Sequence, residues 1–225
     1  MRRLLLLASV LLVLFAAVVL PRPAQAAPLS KPAITVQPAD KTVRNDEPVT
    51  IRAHAAGNPE PTVAWEYSQD GGKTFTSSGP AKDTLELGKS NAFYNGLRFR
   101  ATFSNSQGTV TTNTVILTVL FRPMGTLAGP VANQSVKVGG MATFMAVSIG
   151  NPKPTVQWQV KPGNKPWADI PGATTTDNTT SPPYTKTSYT TQPAQLFANG
   201  FLFRAKFTNM FGSEETNAAT LTVTQ

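Results

Sequence analysis

The chain has 225 residues, 40% of them hydrophobic and only 14% charged, with 19 Pro, 16 Gly and no Cys; this is the composition of ordered, turn-rich domains. Without Cys there is no disulfide scaffold, thiol chemistry, Cys-based zinc site, iron–sulfur cluster or lipidated cysteine, and the single His54 cannot build a multi-histidine metal centre, so no metal or cofactor is expected. Twenty Lys and Arg against 12 Asp and Glu give +8, which falls to +5 without Arg2, Arg3 and Arg22 of the leader; the excess is scattered, so nucleic acid is not an expected partner.

Met1-Arg2-Arg3, an apolar run from Leu4 to Leu20, the break at Pro21-Arg22-Pro23 and Ala24-Gln25-Ala26 read as a secretory signal peptide over 1–26. The product is expected outside the cell or at the cell envelope, and in the membrane only if the leader stays uncleaved. After it, Val49, Ile51, Ala53 and Ala55 alternate with Thr50, Arg52 and His54, the period of a half-buried strand. Gly57-Asn58-Pro59-Glu60-Pro61 then forces an extended corner before the Trp65 strand, and Asp70-Gly71-Gly72 marks a hairpin. Leu97, Phe99, Ala101 and Phe103 form another alternating strand.

The whole pattern then recurs. Gly150-Asn151-Pro152-Lys153-Pro154 leads to Trp158 at an offset of 93, and Phe93-Tyr94-Asn95-Gly96 to Asn105 returns as Phe197-Ala198-Asn199-Gly200 to Asn209 at an offset of 104. This is a duplicated domain with an insertion in the second copy. Short strands at regular spacing predict an all-β chain of two sandwiches, over 27–122 and 123–225. Only Phe121 to Gly125 separate them, which favours a stiff tandem.

These residues resemble the immunoglobulin superfamily, in particular the tandem I-set-like repeats of exported bacterial proteins. The resemblance rests on the B-strand residue, the Gly-x-Pro-x-Pro corner and the C-strand Trp (Ala53 and Trp65; Ala146 and Trp158), and on the F-strand series Phe99, Ala101, Asn105, Gly108 and Phe203, Ala205, Asn209, Gly212. It implies an immunoglobulin-like β-sandwich with those Trp, Ala and Phe residues in its core. Both disulfide positions are Ala in both copies and the F-strand aromatic is Phe, so neither the disulfide nor the tyrosine-corner hydroxyl bond is available.

Catalytic signatures do not assemble. Gly72-Lys73-Thr74 lacks the first glycine of a phosphate loop, since Tyr67 stands there; His54 has no triad partner motif; the carboxylates are scattered. The chain is read as a non-enzyme. Asn133-Gln134-Ser135 and Asn178-Thr179-Thr180 match a glycosylation pattern that the bacterial resemblance makes irrelevant.

Three surface features are candidate partner sites. Met145, Val147 and Ile149 form an outward apolar stripe where the first repeat has Arg52, His54 and Ala56, covered by a loop or offered to a partner or second copy. Arg98, Arg100, Arg204 and Lys206 are outer F-strand charges, either solvated opposite residues such as Glu66 or a site for an acidic polymer. The Thr-rich insertion from Ala173 to Pro193, with Tyr184, Lys186 and Tyr189, is expected to be a mobile loop, either drift or a recognition element. The expectation is a secreted binding or adhesion protein that recognises a protein or cell-surface glycan. The alternatives are a self-associating structural spacer and an unrecognised small hydrolase.

Overall fold

The computed structural model describes residues 27–79, 81–125, 130–173 and 184–225; the leader and much of the Thr-rich insertion lie outside them. The first half contains β1 (Ser30–Val36), β2 (Lys41–Arg44), β3 (Pro48–Arg52), β4 (His54–Asn58), β5 (Thr62–Ser68), β6 (Thr76–Ser77), β7 (Thr84–Lys89), β8 (Arg98–Asn105), β9 (Gly108–Thr111) and β10 (Val115–Met124). The second contains β11 (Gln134–Lys137), β12 (Thr143–Asn151), β13 (Thr155–Lys161), β14 (Ala168–Asp169), β15 (Tyr184–Thr190), β16 (Leu202–Asn209), β17 (Gly212–Glu215) and β18 (Ala219–Thr224). A 3-10 turn precedes the long F strand of each half, at Ala92–Tyr94 and Leu196–Ala198.

Each half is a two-layer sandwich. In the first, β1–β4 and β3–β7 form one layer; β5 and β8 pair over seven residues in the other, with β6, β9, β10 and the parallel β2 around them. In the second, β12 and β15 face a sheet ordered β11-β18-β16-β13-β14. Period-two patterning turns Phe99, Ala101 and Phe103 inward from β8, and Phe203, Ala205 and Phe207 from β16. Ala53, Ala101, Ala146 and Ala205, at the disulfide positions, are all buried beside Trp65 or Trp158. Each indole finds an acceptor: Trp65 Nε1 donates to the Lys82 carbonyl (2.8 Å) and Trp158 Nε1 to Thr187 Oγ1 (3.0 Å).

The Gly-Asn-Pro-x-Pro corners, with cis peptides at Asn58-Pro59 and Asn151-Pro152, exist to receive an asparagine. Asn105 Nδ2 donates to the carbonyls of Pro59 (2.7 Å) and Ser30 (2.9 Å), while its Oδ1 accepts from Gln107 N (2.9 Å). Asn209 repeats the clamp with Pro152 O (2.8 Å), Phe121 O (2.9 Å) and Phe211 N (2.9 Å). A Cβ on Gly57 would stand 3.0 Å from Asn105 Nδ2 and 3.1 Å from Pro61 Cγ, so the glycine makes room for the clamp.

The two sandwiches share β10. It pairs with β8 through Val115 and Ile116, with β2 from Leu117 to Leu120, and with β12 at Phe121 and Met124. Asn151 Nδ2 crosses the junction to Val119 O (2.8 Å) and Asn95 Oδ1 (3.2 Å), and the Arg44 guanidinium lies 5.7 Å from the Phe211 ring centre. Ile149, expected on an outward stripe, is instead only 5% exposed and packs with Phe121 into the hydrophobic cluster of the first sandwich. Alternation along β12 faces it away from its own domain's core, and the neighbouring domain covers it.

The insertion also departs from expectation. Tyr184 to Thr190 is a strand, paired with β12 over seven positions from Ile149↔Tyr184 to Thr143↔Thr190. Thr185 and Thr187 are buried, and β-branched threonine suits a strand as well as a loop. Residues 174–183 lie outside the described residues.

Candidate functional site

Around the apolar stripe, Met145 is exposed and Val147 half-buried, with Lys186 directly across from Val147. These side chains, with Pro130 and Ala132, line a shallow groove of about 380 Å³. Tyr184 lies exposed opposite Ile149. Tyr189 does not belong to this surface. Half-buried, it stacks on Phe203 at 5.8 Å and tilts against Trp158 at 6.1 Å, and burial raises its phenol pKa.

Two of the four basic F-strand positions, Arg100 and Arg204, are tied down by side-chain partners. Arg100 Nε donates to Glu66 Oε2 (2.7 Å) while its guanidinium lies 3.8 Å from the Phe75 ring centre. At the equivalent place Arg204 Nε donates to Gln159 Oε1 (2.8 Å), its Nη2 lies 3.7 Å from Glu215, and Trp167 stacks at 4.3 Å. Guanidinium held between a cross-strand acceptor and an aromatic face stiffens the sheet and leaves little to offer an acidic polymer. Lys206 stands in register with Glu215, and Arg98 is half-buried against the Gly72 turn.

His54 pairs through Nδ1 with Asp83 at the surface, without a nucleophile in the pair. Among the described residues no three His, Asp or Glu cluster as a metal site would require. In the Gly72-Lys73-Thr74 turn the organising group is Asp70. It accepts from Thr74 Oγ1 (2.6 Å), Thr74 N, Lys73 N and Ser68 Oγ, and these donors, Thr74 foremost, hold its carboxyl well below the usual carboxylate range.

One surface was not singled out from the sequence. The 3-10 turns expose Phe93 (74%) and Phe197 (76%) at equivalent positions, each beside a cleft that opens between the sheets. The cleft volumes are about 330 Å³ in the first sandwich and 220 Å³ in the second. Leu97 and Phe99 line one, Phe201 and Phe203 the other. Asn91 Oδ1 caps the first turn by accepting from Phe93 N (2.9 Å). The available signal was a phenylalanine in the repeated block that no strand alternation calls for.

No protein-family profile matches the chain. Over 197 residues it is 36% identical to endoglucanase C of Cellulomonas fimi, covering 85% of this chain and 16% of that enzyme. Over 79 residues it is 38% identical to neural cell adhesion molecule L1 of Takifugu rubripes, covering 35% of this chain and 6% of that protein. The chain thus spans only a small part of these relatives. Among solved structures, Dpr2 Ig1–Ig2 in complex with DIP-Theta Ig1–Ig3 superposes with a TM-score of 0.64 at 21% identity, covering 87% of this chain and 66% of that one.

Proposed function

For a chain that consists of two immunoglobulin-like domains in tandem without the disulfide cysteines, we propose the role of a secreted, non-catalytic recognition module that binds a protein or glycan at the cell envelope. Sandwiches of this kind carry many functions, so the fold alone decides nothing. The observation that carries the reading is the junction. The shared β10, the Asn151 and Asn209 bonds and the buried Ile149 join the domains, which favours two related surfaces held together on one body.

The matched stretch is a small fraction of the endoglucanase, which favours a segment working beside catalysis rather than in it. L1 is by name an adhesion molecule, and the Dpr2 domains were solved in complex with another immunoglobulin tandem; both support recognition by surface complementarity. Secretion rests on the leader over 1–26. A structural spacer that self-associates is the second reading, and exposed Met145 beside the groove of the second domain favours it.

The test is co-sedimentation of the full mature chain with purified envelopes of its source cells, alongside a concentration series in sizing chromatography. Saturable retention by a monomeric chain is expected. Absence of saturable retention overturns the recognition role, and mass rising with concentration turns the assignment to the spacer.

A further inference from the structure

We infer that the two turn clefts are paired subsites for a neutral polysaccharide chain, an inference that rests on the recognition role above and gives it a ligand and a location. The first ground is duplication. Phe93 and Phe197, Leu97 and Phe201, and Phe99 and Phe203 occupy the same places in two copies that differ at most other positions of the cleft walls. A lone exposed apolar side chain is ordinary. The same ring left three-quarters in water at the same turn twice, each time against an apolar wall, belongs to neither buried core, and Phe197 touches the second one only edge-on through Phe201 (6.2 Å).

The second ground is chemistry. Among the described residues no charged side chain lines either cleft, although the chain as a whole is strongly basic. The polar groups present are amides and hydroxyls: Gln69, Ser78, Tyr67 and Tyr94 in one, Gln192, Gln195, Thr191 and Tyr189 in the other. A flat aromatic face flanked by neutral donors and acceptors suits a pyranose ring. Its axial C–H bonds rest on the electron-rich face of the aromatic, and its hydroxyls exchange hydrogen bonds with the amides. Two like sites on one joined body suit a ligand that repeats, because the second engagement is then intramolecular.

The test uses the full mature chain in affinity electrophoresis through gels containing hydroxyethylcellulose, barley β-glucan or glucomannan, with pull-downs on cellulose and chitin. Polygalacturonate and dextran sulfate serve as anionic comparisons. At least one neutral polymer is expected to retain the chain. Phe93→Ala and Phe197→Ala should each weaken retention at least about tenfold, since loss of either site already removes bivalency, and the double variant should lose the remaining monovalent retention as well. Phe→Tyr at both positions should keep it. The exposed rings leave the fold untouched when truncated, which circular dichroism verifies. Retention by envelopes but by no neutral polymer overturns this site while leaving the recognition role standing. Unchanged retention of the double variant, or retention by the anionic polymers alone, also overturns it. Failure to bind both envelopes and polymers removes the role itself.

Discussion

Replacing Asn209 by Ala deletes an amide that makes three hydrogen bonds, to Pro152 O, Phe121 O and from Phe211 N. At a net ~1 kcal/mol each, with the site half-buried so that water recovers part of the loss, the cost should be ~1.5–3 kcal/mol. Asn209→Asp is sharper. It keeps the acceptor for Phe211 N but aims a carboxylate oxygen at two carbonyls, so it should destabilise at least as much as Ala. Position matters too: Asn105 ties its own corner to Ser30 within the first domain, whereas Asn209 grips Phe121 of the shared strand. Urea unfolding should give the magnitudes, and hydrogen exchange read peptide by peptide should locate them. Faster exchange is expected over Phe121 to Met124 in Asn209→Ala and not in Asn105→Ala. An Asp variant as stable as wild type, or losses below about 0.5 kcal/mol in both Ala variants, would refute the clamp.

Ile149→Ala should cost ~2–4 kcal/mol through the cavity left at the junction, whereas Met145→Ser, at an exposed position, should stay within about 0.5 kcal/mol; equal effects in thermal denaturation would deny the junction its packing role. The depressed pKa of Asp70 stabilises the turn above the unfolded carboxyl value of about 4, and that contribution is lost as pH falls from there toward the folded value. Protection of the Lys73 and Thr74 amides, taken relative to their intrinsic exchange rates, should therefore fall only below about pH 4, and Asp70→Asn should abolish the acid dependence; a variant with the wild-type profile would contradict this. Lys186, locked in β15 across from Val147, should resist trypsin under native conditions, and a first cut there would contradict the strand assignment.

The strands and the duplication were legible because a half-buried sheet writes its period into the sequence: β8 and β16 alternate Phe, Ala and Phe against mostly charged or polar residues, and the corner recurs letter for letter around its variable fourth residue. Alternation distinguishes inside from outside of one domain only. It therefore placed Ile149 on an outer face without seeing the neighbour that buries it. Threonine composition misled at β15, where Thr185, Thr187 and Tyr189 turn toward the core at a two-residue period that the flanking Thr-rich stretch obscured. The arginine pairs were visible as repeats, but their aromatic partners Phe75 and Trp167 arrive from strand connections whose course no spacing encodes. The exposed phenylalanines escaped because exposure is a property of the packed turn and not of the residue.

The recognition role depends on the two domains acting as one body, and backbone nitrogen-15 relaxation of the full mature chain measures that directly. Amides of both domains should fit a single anisotropic tumbling tensor with its long axis along the tandem. Separate tensors with domain-sized correlation times would show the junction at β10 to be a hinge and would contradict the account.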